Sequence, residues 1–123
     1  MPVGYSRPVL MINAGVNAFD AVSDPTPPVI KGAQHLSQIS GDVEWSAGVS
    51  AGKVVVDIIP RSDYPDDQDG EIIFSSDIVD DAITTPSSQH FTYPGNAAYI
   101  RHRIVDDIVG GSVTTWHNGY SNN

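Results

Sequence analysis

The chain has 123 residues and a formal net charge of −9, from 15 acidic and 6 basic side chains, and it contains no cysteine. This length supports one domain with a modest core. The lack of cysteine excludes disulfides, thiolate catalysis and cysteine-ligated metal sites. An acidic surface repels nucleic acid and anionic membranes, so we expect neither as a direct partner, although acidity also serves solubility alone.

The composition favours strands over helices. Val and Ile together number 26, against 4 for Leu and Met, and the chain holds 13 Asp, 11 Gly and 9 Pro. Branched side chains suit pleated strands, whereas Asp, Gly and Pro are typical of turns. The composition therefore predicts an all-β protein.

The first 30 residues predict an extended N-terminal arm with one short strand. The apolar run 8–12 is the strand, and the proline-rich stretch 23–28 favours extended backbone. Such an arm could wrap a partner subunit, or it could be a long loop beside an edge strand. The chain begins without the basic and apolar segments of a secretory signal, and no apolar run approaches the roughly 20 residues of a membrane span.

Residues 31–123 predict the second part, a single antiparallel β-sandwich of the immunoglobulin-like or jelly-roll-like kind. Short strand-like segments recur with turn residues between them, and none shows a sustained helical period. We predict strands at 35–39, 43–49, 53–59, 71–75, 89–93, 98–105 and 112–117. Segments 61–70 and 78–88 are predicted connections, Gly110 and Gly111 a hairpin turn, and 118–123 a loose tail.

Alternation assigns the core side chains. Three sets of alternating side chains are predicted, and the members of each set share one face of their strand. The sets are Val43, Trp45, Ala47 and Val49; Val54, Val56 and Ile58; and Ile100, His102 and Ile104. Trp45 is expected in the core, and His102 is expected as a hydrogen-bonded core or interface residue. Trp116 and Tyr120 lie near the C-terminus, and we expect them to be exposed on a binding face or a subunit contact.

Catalytic and metal-binding patterns are weak. Four aspartates crowd the predicted 61–70 loop, but their spacing fails the EF-hand pattern, so a solvated turn is favoured over a calcium site. The four histidines lack the local spacing of zinc or iron ligands. The sequence holds no serine elbow or phosphate-binding loop, and nothing marks a carboxylate pair as catalytic. We therefore expect a non-enzymatic protein without metal or cofactor.

The segment from Tyr99 to Gly119 resembles the C-terminal half of small β-sandwich proteins of tailed-bacteriophage virions. The resemblance rests on Tyr99-Ile-Arg-His-Arg-Ile104, then Gly110-Gly-Ser-Val-Thr-Thr115 and Asn118-Gly119. Upstream, Gly52-Lys-Val-Val-Val-Asp57 followed by Ser62-Asp-Tyr64 is similar to the central hairpin of those proteins. The central turn of that family usually leads to a Trp, where Ile72, Ile73 and Phe74 stand here.

The resemblance implies a structural protein of a phage particle, most simply a decoration or cement protein bound to the major capsid protein. A neck, collar or tail-fibre adaptor is the alternative within the virion, and a carbohydrate-binding module is the alternative outside it. The expected location is the virion, after synthesis in the host cytoplasm, and the expected state is a homo-oligomer, with a trimer favoured.

The candidate contact residues fall into two groups. Basic side chains could meet an acidic shell, since Arg is favoured in specific interfaces, or they could pair with Asp across strands. The aromatic residues could serve a subunit contact or a sugar. The candidate interface residues are Arg7, Arg101, Arg103, Trp116 and Tyr120.

Overall fold

The computed structural model describes residues 4–5, 9–16, 29–32, 37–59, 71–79, 82–94 and 99–121. The predicted 61–70 connection, the proline-rich stretch 23–28 and Arg7 lie outside these ranges. Nine strands and no helix occur in the described residues, which confirms the all-β prediction. The strands are β1 Gly4–Tyr5, β2 Val9–Gly15, β3 Val29–Gly32, β4 Gln38–Trp45, β5 Ala51–Ile59, β6 Glu71–Ile78, β7 Ser87–Tyr93, β8 Tyr99–Val109 and β9 Val113–Ser121.

Two antiparallel sheets pack together as the predicted β-sandwich. In sheet A the central strands β9 and β4 lie side by side, with β7 beyond β4 and both β1 and β2 beyond β9. Sheet B has the order β3-β8-β5-β6. The strands β1 and β2 belong to the segment predicted as an arm, and both pair with β9 of the same chain. The described part of that segment therefore contributes β1 and β2 to sheet A, and its last two residues begin β3 of sheet B.

The core lies between the sheets and follows the predicted alternation. Val43, Trp45 and Val49 from one side of the sandwich meet Val54, Val56, Ile58, Ile100 and Ile104 from the other, all fully buried. Full burial of a side chain of this size contributes about 1.5–3 kcal/mol. Trp45 is thus a core residue, as predicted, and its indole N–H donates a 3.0 Å hydrogen bond across the sandwich to the Ser76 hydroxyl of β6.

The turn at Gly110 differs from the predicted hairpin. Strand β8 pairs with β5 in sheet B, whereas β9 pairs with β4 in sheet A, so this link crosses between the sheets. Gly110 has a φ of 87°, and a Cβ there would overlap the carbonyl of Gly48 in the neighbouring inter-sheet link. Gly48 and Gly110 must both be glycine, because the links that contain them pack against each other and leave no room for a Cβ.

Two other predictions are corrected by pairing. The tail predicted as loose is strand through Ser121, because Asn118 and Gly119 pair with Ser40 and Ile39 of β4. The strand predicted at 43–49 ends at Trp45, and exposed Ala47 lies in the turn that follows. The described part of the chain holds no helix with the length and apolar composition that crossing a membrane requires.

Candidate functional site: the outer faces of the two sheets

Arg101 and Arg103 lie on the outer face of sheet B, where both contact Asp57. Arg101 and Asp57 are direct cross-strand neighbours on β8 and β5. The Arg101 guanidinium donates through Nε to Oδ1 at 3.0 Å and through Nη2 to Oδ2 at 2.6 Å, and Arg103 Nη2 lies 3.4 Å from Oδ2. We call these three residues the ion cluster.

The ion cluster is buried. Asp57 is 1% exposed and Arg101 3%, whereas Arg103 is 17% exposed, and the neighbouring Val55 is also buried. A buried carboxylate needs charge and hydrogen bonds to offset the loss of hydration, and the bidentate guanidinium supplies both. Cross-strand pairing with aspartate, the alternative to a shell contact for these arginines, is therefore what the structure shows. Their contact with another protein stays a prediction.

The outer face of sheet A is different, and we call it the open face. Four strands contribute side chains to it, and the register places them in three rows across the sheet. The rows are Leu10, Trp116, Asp42 and His90; Thr114, Glu44 and Ser88; and Asn118, Ser40 and Thr92. All ten side chains are exposed or half-buried.

A hydrogen-bonded chain runs along the edge of the open face. His90 Nδ1 donates to Asp42 Oδ1 at 3.1 Å, since a carboxylate can only accept. The Thr92 hydroxyl lies 3.3 Å from His90 Nε2, which accepts from it when the imidazole is neutral. Beside this chain, the Ser88 hydroxyl donates to Glu44 Oε2 at 3.3 Å. These bonds fix the directions of the polar groups that the open face presents to solvent.

Hydroxyl, imidazole and carboxylate here follow the order of a nucleophile, a base and an orienting acid. Hydrolysis also needs donors for the developing oxyanion. The described amides of β4 beneath this chain lie in a strand paired on both sides, with β7 and β9. Among the described residues, the β4 amides are therefore occupied by strand pairing and do not serve as oxyanion donors.

Trp116 is the aromatic group among the described side chains of the open face. It is half-buried and lies between Asp42 of β4 and the exposed Leu10 of β2. Tyr120 occupies a position in β9 four residues further on, paired with Tyr5 and Gln38, and its side chain is outside the described residues. The structure thus brings Trp116 together with polar partners and separates it from Arg101 and Arg103, which lie on the opposite sheet.

Two histidines lie inside the sandwich instead of on a face. His102 is fully buried and shares a 2.8 Å hydrogen bond with the Thr115 hydroxyl of the facing sheet, and the ring of buried His117 lies 5.4 Å from its own. Burial lowers the pKa of His102 to about 3, and the nearby His117 adds to the effect. The ring of Phe91 lies 6.0 Å from that of His102. The Phe91 ring also occupies the space that a Cβ on Gly41 would need. The core role predicted for His102 is confirmed.

Sequence reasoning missed most of the open face. Ser40, Asp42 and Glu44 alternate along β4, and this period-2 polar pattern was the available signal. His90, Thr92 and Leu10 become neighbours of these residues only through pairing at long sequence separation. Among the described residues, no group of three His, Asp or Glu side chains could hold a metal ion.

Comparison with known proteins identifies the fold but no family. No family model and no curated protein matches the chain. The crystal structure of the SPBc2 prophage-derived protein YomS is similar over 98% of this chain and 96% of that one, with a TM-score of 0.59 and 8% identity. The K1 cleaved adhesin domain of Lys-gingipain from Porphyromonas gingivalis W83 matches 80% of this chain and 61% of that one, with a TM-score of 0.50 and 12% identity. At these identities the likeness concerns the fold alone.

Proposed function

We propose that the chain is a non-enzymatic structural protein of a bacteriophage particle that decorates or cements the head shell as a homo-oligomer. The sequence resemblance to virion sandwich proteins, carried by segments within 52–64 and 99–119, supports this role. A sandwich that matches a prophage-derived protein along nearly its whole length is compatible with it. Avidity over many copies would make weak individual contacts sufficient.

The observation that carries the binding role is the edge strand β6. It pairs with β5 on one side, and no strand of the described residues pairs with its other side. Ile72 on this strand is 58% exposed, and Val79, directly after it, is also exposed. An eight-residue edge with apolar side chains is a template for addition of a strand from another chain. The β6 edge is our proposed contact with the shell or with a second copy.

Gold labelling with an antibody against the chain, on particles purified from the lysate that encodes it, tests the location. Label spread over the head supports decoration. Label confined to one vertex or along the tail would replace decoration by a neck, collar or tail-fibre adaptor role. Particles without label would contradict the virion role.

Co-sedimentation with particles that lack the chain tests the edge contact. We expect Ile72→Lys to lose sedimentation with the particles, because a charge on β6 opposes strand addition. Val109→Lys is the matched control, since Val109 is exposed to a similar degree on β8. Equal binding by both variants would show that the shell contact lies elsewhere.

A further inference from the structure

We propose that the open face binds a neutral oligosaccharide, through Trp116 and the hydrogen-bonding groups around Asp42. This activity goes beyond the shell contact proposed above, because it uses sheet A and leaves the β6 edge free. The chemistry of the face, its charge and its extent support the proposal.

The open face combines an apolar strip with a polar one. Trp116 and Leu10 form the apolar strip, and Asp42, His90 and Thr92 form the polar strip directly beside it. A pyranose ring has the same division, with a C–H face that packs on an indole and an edge of hydroxyls that both donate and accept. A carboxylate accepts strong hydrogen bonds from such hydroxyls, and an aromatic side chain supplies contact area at low entropic cost.

The charge of the open face selects a neutral ligand. Its described residues include the carboxylates of Asp42 and Glu44 and no Lys or Arg. Phosphorylated, sulfated or sialylated ligands would therefore be repelled. A protein partner is also disfavoured, since the cores of protein interfaces are depleted of charged residues, and here Asp42 lies at the centre.

The extent of the open face suits several sugar units. Four adjacent strands span roughly 14 Å at about 4.8 Å per strand, and the three rows span a similar length along the strands. One row crosses the sheet through Leu10, Trp116, Asp42 and His90. A ligand along this row would contact Trp116, Asp42 and His90 at once. The Asp42–His90 hydrogen bond holds two of these groups in place before binding, which lowers the ordering cost.

The test is binding of the purified chain to an array of neutral, sialylated and sulfated oligosaccharides, followed by calorimetric titration of the strongest neutral one. Trp116→Ala and Asp42→Asn should each weaken that binding by at least about tenfold. Trp116→Phe, which keeps a ring at this position, should bind within about threefold of the unchanged chain. Ile72→Ala on β6 of the other sheet is the matched surface control and should bind normally.

Three results would overturn the proposal: no neutral oligosaccharide is bound, only anionic ones are bound, or Trp116→Ala and Asp42→Asn bind as the unchanged chain does. Near-ultraviolet circular dichroism of the buried Trp45 confirms that each variant is folded. Gold labelling of particles that carry Asp42→Asn separates the two roles. Label retained on the head without sugar binding assigns sugar recognition to the open face and shell contact to another surface.

Discussion

Asp57 on the outer face of sheet B and Asp42 on the outer face of sheet A differ in burial and in pairing. On sheet B, Asp57 is buried and held by two guanidinium groups within 3.4 Å of its carboxylate. On sheet A, Asp42 is 34% exposed and bonds an imidazole that is itself 61% exposed. On sheet B the charged groups pair with one another in a buried cluster, whereas on sheet A the charged Asp42 is partly exposed to solvent.

This difference decides which candidate residues can meet a ligand. A buried, bidentate guanidinium can contact a partner only by abandoning its carboxylate, at a cost of several kcal/mol. The groups of the open face are already at the surface, and their hydrogen bonds exchange readily with those of a ligand. The ion cluster is therefore paired internally, whereas Trp116 and Asp42 lie on a surface that is open to solvent.

Removal of Arg101 should cause the largest effect on stability. Arg101→Ala leaves the buried Asp57 without its bidentate partner and should lower the free energy of unfolding by about 3–5 kcal/mol. Arg103→Ala, the control on the same strand, removes a longer and more exposed contact and should cost about 1 kcal/mol. Urea unfolding of both variants makes the comparison, and equal costs would contradict the central role of the Arg101–Asp57 pair.

The second largest expected effect is a loss of unfolding free energy in acid, through the buried His102. The pKa of His102 is about 3 in the folded chain, below its ordinary value of 6.5, so folding favours the neutral ring. This contribution is complete above pH 6.5 and is lost progressively as the pH falls toward 3, by roughly 3 kcal/mol at pH 4.5.

Comparison with His102→Leu isolates this contribution from that of the carboxylates. The variant should lose less stability between pH 6.5 and 4.5 than the unchanged chain, as followed by thermal unfolding. Parallel pH profiles for the two proteins would show that the buried ring does not set the acid response.

Ser76→Ala should have an intermediate effect. It leaves the buried Trp45 indole N–H without the Ser76 hydroxyl across the sandwich, which costs about 1–2 kcal/mol. Ser75→Ala, an exposed neighbour on the same strand, should be neutral within about 0.5 kcal/mol. Chemical denaturation distinguishes the two, and a neutral Ser76→Ala would mean that this bond adds nothing to the packing of the sheets.

Trp116→Phe should have the smallest effect on stability, below about 0.5 kcal/mol, because the side chain is on the open face. The chain has two tryptophans, so this variant leaves Trp45 as the sole indole. Its emission should shift to shorter wavelength, and iodide quenching should fall. Unchanged quenching would place Trp116 away from solvent and contradict the exposure of this face.

Local patterns predicted the strands and the core but not the faces. Val54, Val56 and Ile58 alternate so regularly that their burial follows from sequence alone. The partners of Asp57 and Asp42 cannot be predicted from sequence alone. Arg101 lies 44 residues from Asp57, and His90 lies 48 residues from Asp42. Only the strand order and register bring these groups together.

The errors in the prediction have the same physical origin. Asn118 and Gly119 have weak intrinsic strand preference, so they predict a tail, yet pairing with β4 holds them in β9. Gly110 and Gly111 predict a hairpin, but the sequence does not specify that the strands around them join different sheets. Tertiary pairing overrides local preference at each of these points.

The most direct test of the contrast between the faces is urea unfolding of Asp57→Ala and Asp42→Ala side by side. The same substitution is made at two aspartates that differ mainly in burial and pairing. We expect Asp57→Ala to lose at least about 3 kcal/mol of unfolding free energy and Asp42→Ala less than about 1 kcal/mol. Equal losses, or a larger loss for Asp42→Ala, would contradict the contrast between a buried, internally paired aspartate on one face and an exposed one on the other.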